Sequence, residues 1–296
     1  MHHLRHIKLR GFLLLLLGLS FIPLEFLEAQ PRSRVPPSPS APADLDPAEG
    51  EAVIDRFRAA RYPQDYSFLF NFRHYPRRGA VKEFSGQLWG SWNQYGPILR
   101  VRLNQEETRE DPPEFVFQNG HLIQIWSVQH QGSTTVATPV EGSALHESIL
   151  PELTFTPFDL QMPFLYWKEF DYEGPDRVRG RPAHHFLFHP PEDFTGDPVI
   201  GAVRVTIDAH WNAMLRAQVL DPEGEVRKTY QVLRVRRVDE EWVVRSIDLI
   251  DEDSRAKTRF EVRAANLQLQ LPEEFFDPRQ SAMQITSHGP SSFTWF

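Results

Sequence analysis

From residue 173 to residue 276 the chain reads as one hairpin after another, with apolar residues at every second position along the arms. A period of two places those residues on one face of a pleated strand. Such a stretch buries itself as an antiparallel sheet with one greasy face and one wet face. The pattern begins well upstream. Tyr66, Phe68, Phe70 and Phe72 alternate with Ser67, Leu69, Asn71 and Arg73. Phe84, Gly86, Leu88, Gly90 and Trp92 alternate with Glu83, Ser85, Gln87, Trp89 and Ser91. Leu99, Val101 and Leu103 alternate with Arg100 and Arg102. Residues 114–117 and 122–128 flank Asn119-Gly120, a strong hairpin signal.

Further strands are expected over residues 168–172, 177–188, 202–208, 214–220, 225–235, 241–250, 256–263 and 267–271. Turns are expected at Glu173-Gly174-Pro175, Asp221-Pro222-Glu223-Gly224 and Asp251-Glu252-Asp253-Ser254. The polar stretch 129–142 reads as a loop. Two helices complete the inventory. Asp46 can cap the first, Pro47 suits its first turn, and Val53, Ile54, Phe57 and Ala60 share a stripe. Thr156 can cap the second, with Pro157 at its first position and Leu160, Phe164 and Trp167 on one face. Pro163 lies inside it and must kink or end it, so a short, broken helix is expected. The fold class is therefore mainly β with few helices. A sheet of roughly a dozen strands seldom stays flat, which points to a barrel or a strongly curled sheet.

The N-terminus reads as a secretory signal over residues 1–29. Arg5, Lys8 and Arg10 precede an apolar run from Gly11 to Leu24, and Leu27-Glu28-Ala29 offers a cleavage point. An uncleaved anchor is the alternative. The run contains Pro23 and falls short of the roughly 20 apolar residues a span needs. Either reading exports the chain. The sequence has no cysteine, so neither a lipid-bearing thiol nor a disulfide is available, and burial and hydrogen bonding must hold the fold. A periplasmic location fits. Losing residues 1–29 removes three basic and two acidic side chains and moves the net charge of −8 one unit further negative. That balance disfavours nucleic acid as a partner. Residues 30–47 carry proline after proline and read as an extended linker. One folded domain follows over residues 48–278, and residues 279–296 read as a disordered or docking tail.

Asp159-Leu160-Gln161-Met162-Pro163-Phe164-Leu165-Tyr166-Trp167, followed by Arg179-Gly180-Arg181 entering a strand, resembles the middle of the outer-membrane lipoprotein-sorting proteins with the LolA-like fold. The stretch 208–276 resembles the same group, with Trp242 opening a strand and the close Leu271-Pro272-Glu273-Glu274-Phe275-Phe276. The resemblance implies a curved antiparallel sheet forming an incomplete β-barrel, with helices covering its concave mouth. It implies an apolar cavity for the acyl chains of lipoproteins, or for other lipids, in transit through the periplasm. The implied partners are an inner-membrane releasing complex and an outer-membrane acceptor. It implies no enzymatic activity and no cofactor. Sensor proteins built on the same fold leave a non-transport interaction module as the alternative.

An acyl chain offers no hydrogen bonds, so its site must be apolar, concave and shielded. Each methylene removed from water contributes about 0.8 kcal/mol. The expected lining is Phe68, Phe70, Phe72, Leu88, Trp92, Leu99 and Val101 from the sheet, with Leu160, Met162, Phe164 and Leu165 from the helical lid. An aromatic row on a strand is more often plain core, and the two readings compete at every one of these positions.

Other clusters invite chemistry and do not sustain it. His184 and His185 point to opposite faces of a strand, and His189 stands about 13 Å from His185 by strand rise, so one metal ion cannot unite them. Asp251-Glu252-Asp253 lacks the spacing and glycine of a calcium loop. Glu106-Glu107, Glu110-Asp111 and Glu240-Glu241 read as solvated strand ends without perturbed acidity. No Gly-x-Ser-x-Gly elbow occurs. Arg234, Arg236 and Arg237 read as a solvated strand edge, with a lipid headgroup contact as the alternative.

Overall fold

A computed structural model describes residues 42–104, 112–132, 134–151, 153–194, 200–280 and 292–296. The expected signal, residues 30–41 of the expected linker, residues 281–291 of the expected tail, and Glu106, Glu107, Glu110 and Asp111 lie outside the described residues.

The chain enters through α1 (Pro47–Ala59), whose Asp46 and Glu49 form a capping box. Six strands follow as a meander: β1 (Asp65–Tyr75), β2 (Lys82–Asn93), β3 (Gly96–Asn104), β4 (Glu114–Gln118), β5 (Gln124–Gln131) and β6 (Thr134–Pro139). A 3-10 turn (Gly142–His146), α2 (Pro157–Gln161) and a second 3-10 turn (Pro163–Tyr166) then cross to the far edge. A second meander returns: β7 (Phe170–Val178), β8 (Arg181–Phe188), β9 (Ala202–Asp208), β10 (Met214–Leu220), β11 (Val226–Val238), β12 (Glu241–Asp251) and β13 (Lys257–Leu269). A 3-10 turn (Glu273–Phe276) follows, and β14 (Thr294–Trp295) ends the chain.

All of these strands join one antiparallel sheet in the order β6-β5-β4-β3-β2-β1-β13-β12-β11-β10-β9-β8-β7, with β14 beside β13. The two meanders meet where β1 pairs with β13, from Asp65 opposite Leu269 to Tyr75 opposite Lys257. The edges β6 and β7 do not pair, so the sheet is an open one and not a closed barrel. Neighbouring strands sit about 4.8 Å apart, so a flat sheet this wide would hold its edges far from one another. Yet Phe117 of β4, Ile125 of β5, Phe186 of β8 and Val203 of β9 belong to the same buried cluster as Phe158 and Phe164 of the crossover. The sheet must curl around that cluster.

A smaller apolar cluster occupies the opposite face, where Trp89, Ile98, Val116 and Val128 receive Phe275 and Phe276. Arg100 fastens this closing phrase. It is wholly buried, pairs with Glu114 at 2.5 Å, and donates to the carbonyls of Phe275 (2.6 Å) and Gln280 (2.8 Å). A buried guanidinium is tolerated only when its donors are met in this way.

Three segments differ from the sequence reading. The stretch 129–142 contains the end of β5 and all of β6, where a loop was expected. Glu173-Gly174-Pro175 is not a turn but a bulge inside β7, and the hairpin closes at Arg179-Gly180. Residues 256–263 and 267–271 are largely one strand, β13. The last residues of the expected tail return to the sheet, with Thr294 opposite Ala265 and Trp295 opposite Ala264. There β14 fills the gap left where β12 stops pairing with β13 beyond Ser246 and Glu261.

Candidate functional site

The inner face of the sheet is built by alternation. Phe68, Phe70 and Phe72 of β1 point inward and are buried, as are Leu88 of β2 and Leu99, Val101 and Leu103 of β3. Phe70 lies across from Gly86, and Tyr66 across from Gly90. A Cβ on Gly86 would meet the Phe70 ring at 2.5 Å, and one on Gly90 would meet Tyr66 at 2.1 Å. The glycines make room for rings on the neighbouring strand. The rings pack against one another: Phe70 of β1 and Phe260 of β13 have centroids 4.9 Å apart, and Phe72 and Phe155, ahead of α2, 4.7 Å.

The crossover is the lid. Thr156 and Asp159 form a capping box at the start of α2, and Pro157 occupies its first turn. Met162 ends the helix in the left-handed region, at φ 48° and ψ 55°, immediately before Pro163. That conformation costs a non-glycine residue about 1–2 kcal/mol. The lid is thus two short helical pieces joined at one strained residue, and Leu160, Met162, Phe164 and Leu165 all press into the inner cluster. Pro163 announces the break in the sequence, and the structure ends α2 one residue earlier, at Met162.

Two polar grips hold the lid down. Asp159 is wholly buried. Its carboxylate accepts from the Tyr230 hydroxyl at 2.6 Å, from Lys228 Nζ at 3.1 Å and from the Thr156 backbone N–H at 2.9 Å. Burial, then the Asp159 charge, holds the Tyr230 phenol well above its ordinary range, so it stays a donor. At the other end, Arg58 of α1 donates to the carbonyls of Leu165 (2.8 Å) and Trp167. Its guanidinium lies 5.5 Å from the Phe188 ring, and burial lowers its pKa. Lys228 and Tyr230 share a face of β11 by their spacing, but their meeting with Asp159 is a tertiary fact that no local pattern announces.

All eleven residues expected to line a site come together in or against one cluster. Ten are buried, and Trp92 packs against it half-buried. In this structure the trough is closed over its own side chains. Two cavities open at the periphery. One, of about 590 Å³, lies between α1 and β7 and carries Glu51, Lys168, Glu169, Asp171 and His189 among its walls. The other, of about 530 Å³, lies under the β1–β2 turn.

The clusters set aside earlier take separate partners. His184 bonds Tyr172 (3.0 Å), His185 bonds Asp176 (2.8 Å) and His189 bonds Asp171 (2.8 Å). Asp251 accepts from the Ser254 N–H, Asp253 pairs with Arg227, Arg237 pairs with Glu240, and Arg236 covers the Phe296 ring at 5.5 Å. Glu241 departs from the expected ordinary acidity. Its carboxyl is pushed up to about 7 by burial and then by Glu240, and its Oε2 is buried without a hydrogen-bond partner. No helix among the described residues is long and apolar enough to cross a membrane.

The fold is LolA-like. A DUF1329 family protein from Desulfovibrio piger superposes with a TM-score of 0.66 at 14% identity, covering 79% of this chain and 98% of that one. A domain from Vibrio parahaemolyticus described as an outer membrane lipoprotein-sorting protein gives 0.64 at 12% identity, over 76% and 94%. A LolA superfamily protein from Nitrosomonas europaea gives 0.58 at 11% identity, over 76% and 96%. A family model described as an uncharacterized protein matches residues 159–280, from the lid aspartate to the residue whose carbonyl receives Arg100. No curated protein matches the chain.

Proposed function

We propose that this chain is an exported, periplasmic, non-enzymatic protein that binds acyl chains between its curled sheet and its lid, and carries lipoproteins or lipids toward the outer membrane. Residues 1–29 would direct export and residues 30–47 would tether the folded domain. The observation that carries the reading is the lid itself. A phenylalanine-rich trough is covered by a crossover of two short pieces that meet at the strained Met162 and are pinned by polar contacts at Asp159 and Arg58. Lifting it exposes Phe68, Phe70, Phe72, Leu88, Leu99 and Val101 to an incoming chain, with Leu160, Met162, Phe164 and Leu165 on the moving side and Trp92 at the margin. Burying five methylenes contributes roughly 4 kcal/mol, about a thousandfold in affinity, and re-closing the lid against Asp159 offers a route to release. The donor would be an inner-membrane releasing complex and the recipient an outer-membrane acceptor.

The trough's occupation by native rings favours one other reading, an interaction module on the same fold whose trough stays shut. Native mass spectrometry of the mature chain after mild purification separates the two. Co-purified amphiphile, with saturable uptake of a fluorescent long-chain fatty acid, is the expected result. A stoichiometric protein partner without lipid, and no uptake of the probe, would replace carriage with assembly.

A further inference from the structure

The inward row of β1 does not stop at Phe72. His74 follows at the next alternate position, is buried, and bonds Thr258 of β13 at 2.9 Å, and Thr258 in turn meets Thr154 at 2.9 Å. At this point the aromatic trough gives way to a polar rim, and here the cavity of about 530 Å³ opens. Its walls are the β1–β2 turn (Pro76, Arg77, Arg78, Gly79, Ala80), Lys82, the segment ahead of the lid (Ser148, Leu153, Thr154) and the β12–β13 turn (Ser254, Ala256). Leu153 is buried in the main cluster, and Phe155, two residues on, packs on Phe72, so the cavity abuts the end of the apolar face.

The charge of this rim is one-sided. Among the described residues, Arg77, Arg78 and Lys82 line it with three hydroxyl-bearing residues and without a carboxylate, in a chain whose net charge is −8. The nearby acidic turn is engaged elsewhere, with Asp251 on Ser254, Asp253 on Arg227 and Glu252 on Thr229. Arg77 and Arg78 form no ion pair among the described residues, and the backbone N–H groups of residues 77–80 are not used by the fold. Two guanidinium groups outside any ion pair and a turn of open amides are the chemistry that recognises a phosphate-type anion. The other cavity, with Glu51, Glu169 and Asp171 in its walls, does not offer it.

We propose that the cavity beneath the β1–β2 turn is a headgroup site for a phosphate-bearing, single-charged amphiphile whose hydrocarbon chain enters the trough past His74 and Phe72. This inference rests on the acyl-binding reading above and narrows its ligand to an anionic class. The test is a titration of the mature chain with three probes: lysophosphatidylglycerol, a monoacylglycerol of equal chain length, and inorganic phosphate. The wild type should hold the lysophospholipid roughly tenfold tighter than the neutral monoacylglycerol, and rising salt should erode that ratio. The double variant Arg77→Glu, Arg78→Glu should bring the ratio to about one. Both positions are exposed turn residues, and an unchanged thermal melt will show that the variant folds. Equal binding of both amphiphiles overturns the headgroup site and leaves the acyl-binding reading intact. Binding of neither overturns both. Inorganic phosphate binding as tightly as the lysophospholipid would make the rim a free-anion site and overturn its link to the trough.

Discussion

Glu241 carries the clearest pH signature of any single side chain here. In the unfolded chain its carboxyl titrates near the ordinary 4.5, whereas the folded protein raises it to about 7, by burial first and by Glu240 second, against the opposing pull of Arg237. The folded state therefore binds this proton more tightly. Its contribution to stability is complete below the ordinary carboxylate range and fades as pH rises toward 7. His74 and His184 work the other way, because burial lowers both and favours their neutral forms as pH rises. A bare melting curve mixes these effects, so the informative quantity is a difference. Glu241→Gln should melt higher than the wild type at about pH 8, and the gap should close by about pH 5. A gap that stays constant with pH would show that Glu241 titrates normally. Glu241 was read from sequence as solvated because it stands beside another glutamate at a turn. Its burial comes with the approach of Tyr62, distant in sequence, whose hydroxyl donates to the carbonyl of the adjacent Trp242 at 3.2 Å.

Among the elements, the lid was the most legible, and β6 and β7 the least. Thr156, Pro157 and Pro163 announce where the helix starts and breaks through backbone chemistry that acts within a few residues. The bulge in β7 misleads for an equally local reason. Gly174 takes φ +109° opposite His185 with a register shift, and Pro175 is harmless there because an edge strand needs no donor on its open side. The true turn has positive φ at both Arg179 (52°) and Gly180 (79°), the geometry of a tight hairpin, but arginine is not the residue that signals it. The strand β6 escaped because it lies at an edge with no buried residue, so alternation had nothing to record. The lid's fastening gives a prediction at this scale. Lys228→Met leaves the Asp159 carboxylate buried without its counter-ion, at a cost of about 1–3 kcal/mol. The penalty should fall on the lid. Hydrogen exchange should quicken over residues 157–167 while the β1–β3 amides keep their protection, and uptake of a fluorescent fatty acid should become faster. Uniformly faster exchange across the sheet would show that the ion pair holds the whole fold and not the lid.

The molecule as a whole is two meanders sewn together at one seam. The first runs from α1 to β6 and the second from β7 to β13. Their contact inside the sheet is the β1–β13 ladder, while the lid crossover links their outer edges. Each meander is made of sequence-adjacent hairpins and can begin to form locally, whereas the seam joins strands from opposite ends of the described chain and must wait for both. Alone, each half would expose a long strand edge beside a row of rings: Phe68, Phe70 and Phe72 on one, Phe260 and Val262 on the other. Such edges seek a partner strand. Two polypeptides divided at Glu141, which lies exposed between β6 and the 3-10 turn, should therefore co-purify when expressed together, because the seam restores every ladder and the lid still reaches Lys228 and Arg58. Expressed singly, each should aggregate or pair with itself. Fragments that fold separately and ignore one another would mean that the crossover, and not the β1–β13 seam, holds the halves together. The trough would then be a space between two domains that the lid merely spans, with no single curled wall to cradle an acyl chain.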